Sequence, residues 1–269
     1  MKADKGSQVG QTSGNTAASS GQSKQAVHNV LLCYSGGEAR ASQGLNASFA
    51  ALQRALPPPT YQLHPVLFLS QYETCAVDRA FVMQGNWSAV VQYADPRLSV
   101  ELAPGTSFGN NPPIPMLKQL YALHRCAQIA ADLGSQLGIT FDVGFRLRSD
   151  HTFGDVRTPN FSSVFSNAWP MTVPANARPS LLPANTLQVP DPSLDFDGLQ
   201  DRLAWGSADA FFCTNSRFQY LNKTKLLHGE SFHKFAALSQ CNVTLHRVHR
   251  NAVDVSEVPH AAQRCHARE

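Results

Sequence analysis

The run Arg146-Leu147-Arg148-Ser149-Asp150-His151 places two guanidiniums, a carboxylate and an imidazole close together in the chain. It closes the apolar segment TFDVGFRLR (140–148), which reads as a buried strand. Alternation along a strand puts Arg146, Arg148 and Asp150 on one face. Guanidiniums bind phosphate in a bidentate way, and a hard divalent cation needs carboxylate oxygen. In open α/β sheets ligands sit beyond the carboxyl ends of the strands. The run therefore has the chemistry of a phosphate site with a metal. An internal Arg–Asp ion pair that terminates the strand would use the same residues.

Three further segments carry candidate chemistry. Ser35-Gly36-Gly37-Glu38-Ala39-Arg40 follows the apolar run NVLLCY (29–34). Its glycines let a backbone come close to a nucleotide, and a following helix would offer free N–H groups. It is not GxGxxG, so a dinucleotide site is a poor match. Asp201-Arg202-Leu203-Ala204-Trp205-Gly206-Ser207 begins with an acid that could face a sugar hydroxyl or act as a base. It reads equally as a helix-start carboxylate before a tight turn. Asp195-Phe196-Asp197 is a literal Asp-x-Asp in a Pro-rich stretch, ranked below Asp150 as a metal ligand. Glu230 stands where a first-turn carboxylate would. His246 and His249 could supply a late ligand, although a surface role suits them. No HExxH, no GxSxG and no P-loop occurs.

The elements that must position these groups follow from periodicity. Leu45, Phe49, Leu52 and Leu56 form a helical stripe that Pro57 to Pro59 end. YQLHPVLFL (61–69) is a second strand in which Pro65 implies an edge position or a bulge. A short helix is expected near 76–84 and a strand at SAVVQY (88–93). Met116, Leu120, Leu123, Ala127 and Ala130 define the clearest helix, running to about Leu133 and stopped by Gly134 or Gly138. Alternation of strand and helix through the first 150 residues predicts an α/β fold, with a mostly parallel sheet and helices on both faces. Seven prolines between 155 and 200 predict a long loop with short strands such as NTLQVP (185–190). AWGSADAFFCT (204–214), helices near 216–227 and 230–239, and a strand at NVTLHRV (242–248) complete the pattern.

Composition narrows the class. Only 15% of the 269 residues are charged, and 22 Lys+Arg against 19 Asp+Glu leave a net charge of +3. No basic stripe stands out, which argues against nucleic acid as a partner. No apolar run is long enough to span a membrane. Residues 1–26 are rich in Ser, Gly, Gln, Thr and Ala and lack aromatics, the composition of a disordered tail or stem. Residues 27–269 then form one domain. The six cysteines include no CxxC pair, and an even number permits disulfides without demanding them. Cys33 and Cys126 lie in apolar periodic segments and read as buried core thiols. Asn-x-Ser/Thr occurs at Asn46, Asn86, Asn160, Asn222 and Asn242. That excess favours the secretory pathway, with the Golgi lumen as the expected site, and a glycoprotein. No signal segment is visible at the N-terminus, so a luminal protein would need a targeting segment that lies upstream or is not evident in the sequence.

Four segments resemble, in order, a group of GT-A-type glycosyltransferase-like proteins: LLCYSGGEAR (31–40), MLKQLYALHRCAQIA (116–130), FDVGFRLRSDHTF (141–153) and DRLAWGSADAF (201–211). The likeness spans roughly residues 29–250. It implies a transferase of a nucleotide-diphosphate sugar, acting on a glycan or protein acceptor. By that resemblance RLRSD takes the place of the Asp-x-Asp metal motif, and Asp150 would bind Mn²⁺ or Mg²⁺. Arg146 and Arg148 would steady the strand end or the diphosphate. Ser35, Gly36 and Gly37 with Arg40 would lie against the nucleotide. Asp201 and Glu230 are the candidates for the base. One departure is that Ser149-Asp150-His151 offers one carboxylate where the usual motif has two. The alternatives are a catalytically inactive nucleotide-sugar or glycan-binding protein on the same fold, and an unrelated α/β hydrolase or phosphatase.

Overall fold

The computed structural model describes residues 27–37, 41–70, 87–93, 98, 100–109, 112–149, 151–153, 182–190, 198–199, 202–248 and 255–257. The expected tail at 1–26, the short helix near 76–84, and most of the Pro-rich stretch lie outside these residues, as do Arg40, Asp150, Asp195, Asp197, Asp201 and His249.

The chain begins with β1 (His28–Gly37), α1 (Ala41–Ala55), β2 (Tyr61–Ser70), β3 (Ala89–Tyr93) and α2 (Pro113–Leu137). It continues through β4 (Val143–Arg148), β5 (His151–Phe153), β6 (Thr186–Pro190), β7 (Leu203–Ser207) and α3 (Ala208–Asn215). A 3₁₀ segment (Ser216–Lys223), α4 (Gly229–Phe235), a π turn (Ala236–Gln240), β8 (Thr244–Val248) and β9 (Val255–Glu257) follow. The main sheet runs β3-β2-β1-β4-β7-β6-β8, and β5 pairs with β9 in a small second sheet.

Parallel pairing joins β1 to β2, β1 to β4, β2 to β3 and β6 to β8, and β7 runs antiparallel to both β4 and β6. The expected α/β class with a mostly parallel sheet holds. Successive residues of β1 show why it reads as an unbroken apolar run. Leu32 and Tyr34 join the core under α1 with Leu45, Leu52 and Phe145. Leu31 and Cys33 join the core under α2 with Ala122, Cys126 and Phe211. A strand covered on both faces by helices has no solvent side to encode.

Chain path then fixes one special place. From β1 the chain steps to β2 and β3 on one side, and α2 carries it back across to β4 on the other side of β1. The packing of α1 and α2 on opposite faces makes the gap between β1 and β4 the point where the strand order reverses.

Several local expectations are corrected. Cys33 and Cys126 are not core thiols but form a disulfide, since the parallel alignment of β1 under α2 brings their Cα atoms within 6.1 Å. Cys213 and Cys241 form a second. Pro65 is in neither an edge strand nor a bulge, because β2 is flanked by β1 and β3. It is tolerated because pairing with β3 starts one residue later, at Val66 with Ala89. Leu133 and Gly134 do not end α2, which continues to Leu137. Gly138 stops it in a left-handed conformation (φ 63°), its N–H bonded to the carbonyls of Gly134 and Ser135. Leu203–Ser207 is a buried strand rather than a turn after a helix start. Among the described residues no helix is long and apolar enough to cross a membrane.

Candidate functional site

The carboxyl ends of β1 and β4 meet at the reversal point. Register pairs Ser35 with Arg148, and the Ser149 N–H donates to the Ser35 carbonyl at 3.1 Å. Gly36 has φ 148°, and a Cβ built there would collide with Ser149 Oγ. Glycine at 36 is therefore required twice, by its dihedral and by the serine packed on it. The backbone of the first candidate segment lies directly against the end of the second.

The third segment reaches the same edge because β7 is antiparallel. Its first residues face the ends of β1 and β4, and the Arg148 N–H donates to the Arg202 carbonyl at 3.3 Å. Ser35–Gly37, Arg148–Ser149 and Arg202 thus come together at one edge of the sheet. Arg40, Asp150 and Asp201, their neighbours in sequence, lie outside the described residues.

Arg146 has a different setting. It is 1% exposed and sits on the α2 side of the sheet, two residues before the half-buried Arg148. Its guanidinium meets the fully buried His233 of α4, with Nη1 to Nε2 at 3.3 Å and Nη2 to Nδ1 at 3.4 Å. Arginine has no lone pair to offer, so the imidazole nitrogen that takes the bond does so unprotonated.

Glu230 occupies the first turn of α4 and is half-buried. Its carbonyl accepts the Leu199 N–H at 3.0 Å. A Cβ on Gly198 would strike the Glu230 backbone, so the glycine permits this close approach. Arg247 Nη2 donates to the Gly198 carbonyl at 3.4 Å. Residues 198–199, just ahead of β7, therefore pin the start of α4. One turn further on, His233 ties the same helix to β4. His233 was not singled out from sequence; its spacing of three from Glu230 on a short helix was the available signal.

Tyr34, immediately before the glycine turn, is fully buried, and Ser48 Oγ donates to its hydroxyl at 3.4 Å. Burial raises its pKa well above the ordinary phenol range, against a smaller opposing effect of the Ser48 bond. The group stays protonated at neutral pH and supplies no base.

The groups described at the strand ends are guanidiniums and hydroxyls, which suit an anion. Among the described residues no group of three or more His, Cys, Asp or Glu side chains stands together to hold a metal ion. The described side chains do not by themselves fit a divalent cation. His246 is exposed on β8, at the far edge of the sheet from β1.

No family model matches the chain. No curated protein matches it in sequence. Among solved structures it is similar to a protein of Desulfovibrio desulfuricans G20 assigned as a nucleotide-diphospho-sugar transferase, with 10% identity, TM-score 0.38, and 83% and 80% of the two chains covered. It is similar to mouse xyloside xylosyltransferase 1, with 11% identity, TM-score 0.37, and 82% and 84% covered. A Bacillus anthracis protein assigned as a glucose-1-phosphate thymidylyltransferase gives 10% identity, TM-score 0.35, and 86% and 89% covered.

Proposed function

We propose that the chain is a glycosyltransferase that moves a sugar from a nucleotide-diphosphate donor to a glycan or protein acceptor. The observation that carries the reading is the meeting of Ser35–Gly37, Arg148–Ser149 and Arg202 at the carboxyl ends of β1 and β4, where the strand order reverses. Such reversal points are where open α/β sheets hold nucleotides and phosphates. The resemblance of four ordered segments to GT-A-type proteins supplies the sugar donor as the substrate class.

The roles follow from chemistry. Glycosyl transfer requires the departing diphosphate to be neutralised. Arg148 at the strand end does this, with Arg40 beside the glycine turn against the nucleotide. Arg146, buried against His233, steadies the strand end instead of touching phosphate. Asp201 or Glu230 takes the proton from the acceptor hydroxyl. Mn²⁺ or Mg²⁺ held by Asp150 would add positive charge at the diphosphate. An oxidising compartment, the Golgi lumen or an earlier secretory station, fits the Cys33–Cys126 and Cys213–Cys241 disulfides and the sequon excess.

The test is sugar release from UDP- and GDP-sugars with Mn²⁺, with nucleotide binding followed by calorimetry. Turnover by the wild type, lost in Asp150→Ala and Asp201→Ala, supports the reading. Equal turnover by Asp150→Ala removes that residue's role. Binding without turnover of any acceptor makes the chain a nucleotide-sugar-binding protein. Arg148→Ala is expected to weaken nucleotide binding roughly tenfold or more, the scale of one charge-assisted hydrogen bond.

A further inference from the structure

Two of the five Asn-x-Thr/Ser sites have a setting that separates them from a third. Asn222 and Asn242 are both exposed, one in the 3₁₀ segment and the other at the entrance to β8. Neither side-chain amide is engaged by another described residue. Asn242 adopts a left-handed conformation (φ 49°), held by its backbone, since Asn185 Nδ2 donates to its carbonyl at 2.6 Å. The threonines that complete the two triplets are also within reach of solvent. Thr244 is exposed, and half-buried Thr224 only accepts the Leu226 N–H through its hydroxyl at 3.2 Å. The triplet at Asn46 differs. Its Ser48 is fully buried within α1, and its hydroxyl lies within hydrogen-bond distance of both the Leu45 carbonyl and the Tyr34 hydroxyl.

The two exposed asparagines also lie near one disulfide in the chain. Asn242 directly follows Cys241, and Asn222 comes two residues after Tyr220, whose hydroxyl lies 3.5 Å from Cys213 Sγ. An oxidised cystine beside free, outward-facing sequons is the combination found on secreted surfaces.

We propose that Asn222 and Asn242 carry N-linked glycans, one within the loop closed by the Cys213–Cys241 disulfide and one directly after it. The donor is an oligosaccharide on a lipid diphosphate, used by a membrane oligosaccharyltransferase. The bond from the anomeric carbon to the diphosphate oxygen breaks and the lipid diphosphate leaves with its electron pair, a bond from that carbon to asparagine Nδ2 forms, and the proton the amide gives up passes to solvent. A glycan at Asn242 stands beside β8, the terminal strand of the sheet, where its bulk opposes strand-to-strand association. The proposal does not rest on the transferase reading.

The full chain is expressed behind a secretory leader in cultured animal cells, treated with peptide N-glycosidase, and mapped by peptide mass spectrometry. Conversion of Asn222 and Asn242 to aspartate on treatment is the expected result. Asn222→Gln and Asn242→Gln are each expected to lose one glycan step in gel mobility. Unconverted asparagine at either position in the secreted wild type overturns the assignment of that site, and conversion at Asn46 alone overturns both.

Discussion

Arg146 of β4 and His233 of α4 face one another inside the protein, with guanidinium and imidazole nitrogens 3.3 and 3.4 Å apart. A cation enclosed by a sheet and a helix must be hydrogen-bonded, because burial without partners is costly. The contact therefore fixes where α4 sits on β4, and with it the position of Glu230. His233→Phe keeps the ring volume and removes the acceptor. It is expected to lower unfolding stability by about 1–3 kcal/mol, read as a lower urea midpoint with an unchanged slope. A variant as stable as the wild type would show that other contacts hold the guanidinium.

Gly36 and Ser149 test the strand-end geometry. Gly36→Ala adds a Cβ that meets Ser149 Oγ at a φ of 148°, and is expected to cost about 1–3 kcal/mol. Adding Ser149→Ala removes the collision but not the dihedral strain. The double variant should recover only part of the loss, a coupling that a thermodynamic cycle measures.

The Cys33–Cys126 and Cys213–Cys241 disulfides are expected to contribute unequally. Cys33–Cys126 closes 93 residues and Cys213–Cys241 closes 28. The chain-entropy model gives about 4–5 and about 3–4 kcal/mol respectively. Paired Cys→Ala variants compared by denaturant unfolding check the order, and a larger loss from the shorter loop would contradict it.

Acid stability follows from two histidines. Burial lowers the pKa of His64, whose Nε2 lies 3.1 Å from Asn29 Oδ1 and whose ring meets Phe141 edge-on. Burial, and then the charge of Arg125, lower that of His124. Below the ordinary histidine pKa near 6.5, the unfolded chain takes up protons that the fold resists. Stability is thus unaffected by these groups above that pH and falls as pH drops below it. Thermal melts from pH 8 to 5 should decline over the lower half, and His64→Gln should flatten the decline. A pH-independent melt would contradict the sign.

The segments that needed only local information were legible. The stripe of Leu45, Leu52 and Leu56 identifies α1, and 3.6-residue periodicity from Met116 identifies α2, because one buried face per helix is written into spacing. β1 was legible as a buried strand for a different reason: both of its faces are covered, so it reads as a short unbroken apolar run, and the ends of β1 and β4 were marked by an abrupt change to polar and glycine positions. Pattern alone missed one boundary and one bond. AWGSADAFFCT contains a strand and a helix joined without a loop, so its apolar run has no internal break. Cys33 and Cys126 read as thiols because burial and bonding leave the same apolar surroundings in sequence, and their 93-residue separation hides the contact.

What the sequence by itself determined was the guanidinium, hydroxyl and glycine positions and the strands that end in them. Which of those residues share a place depended on strand order, and strand order is a property of the whole chain. The antiparallel entry of β7 between β4 and β6 brings Arg202 to the end of β4. The packing of α4 turns Arg146 inward onto His233 while Arg148, two residues on, remains at the strand end. Alternation put both arginines on one face; the helix laid over that face buries Arg146 and leaves Arg148 half-exposed.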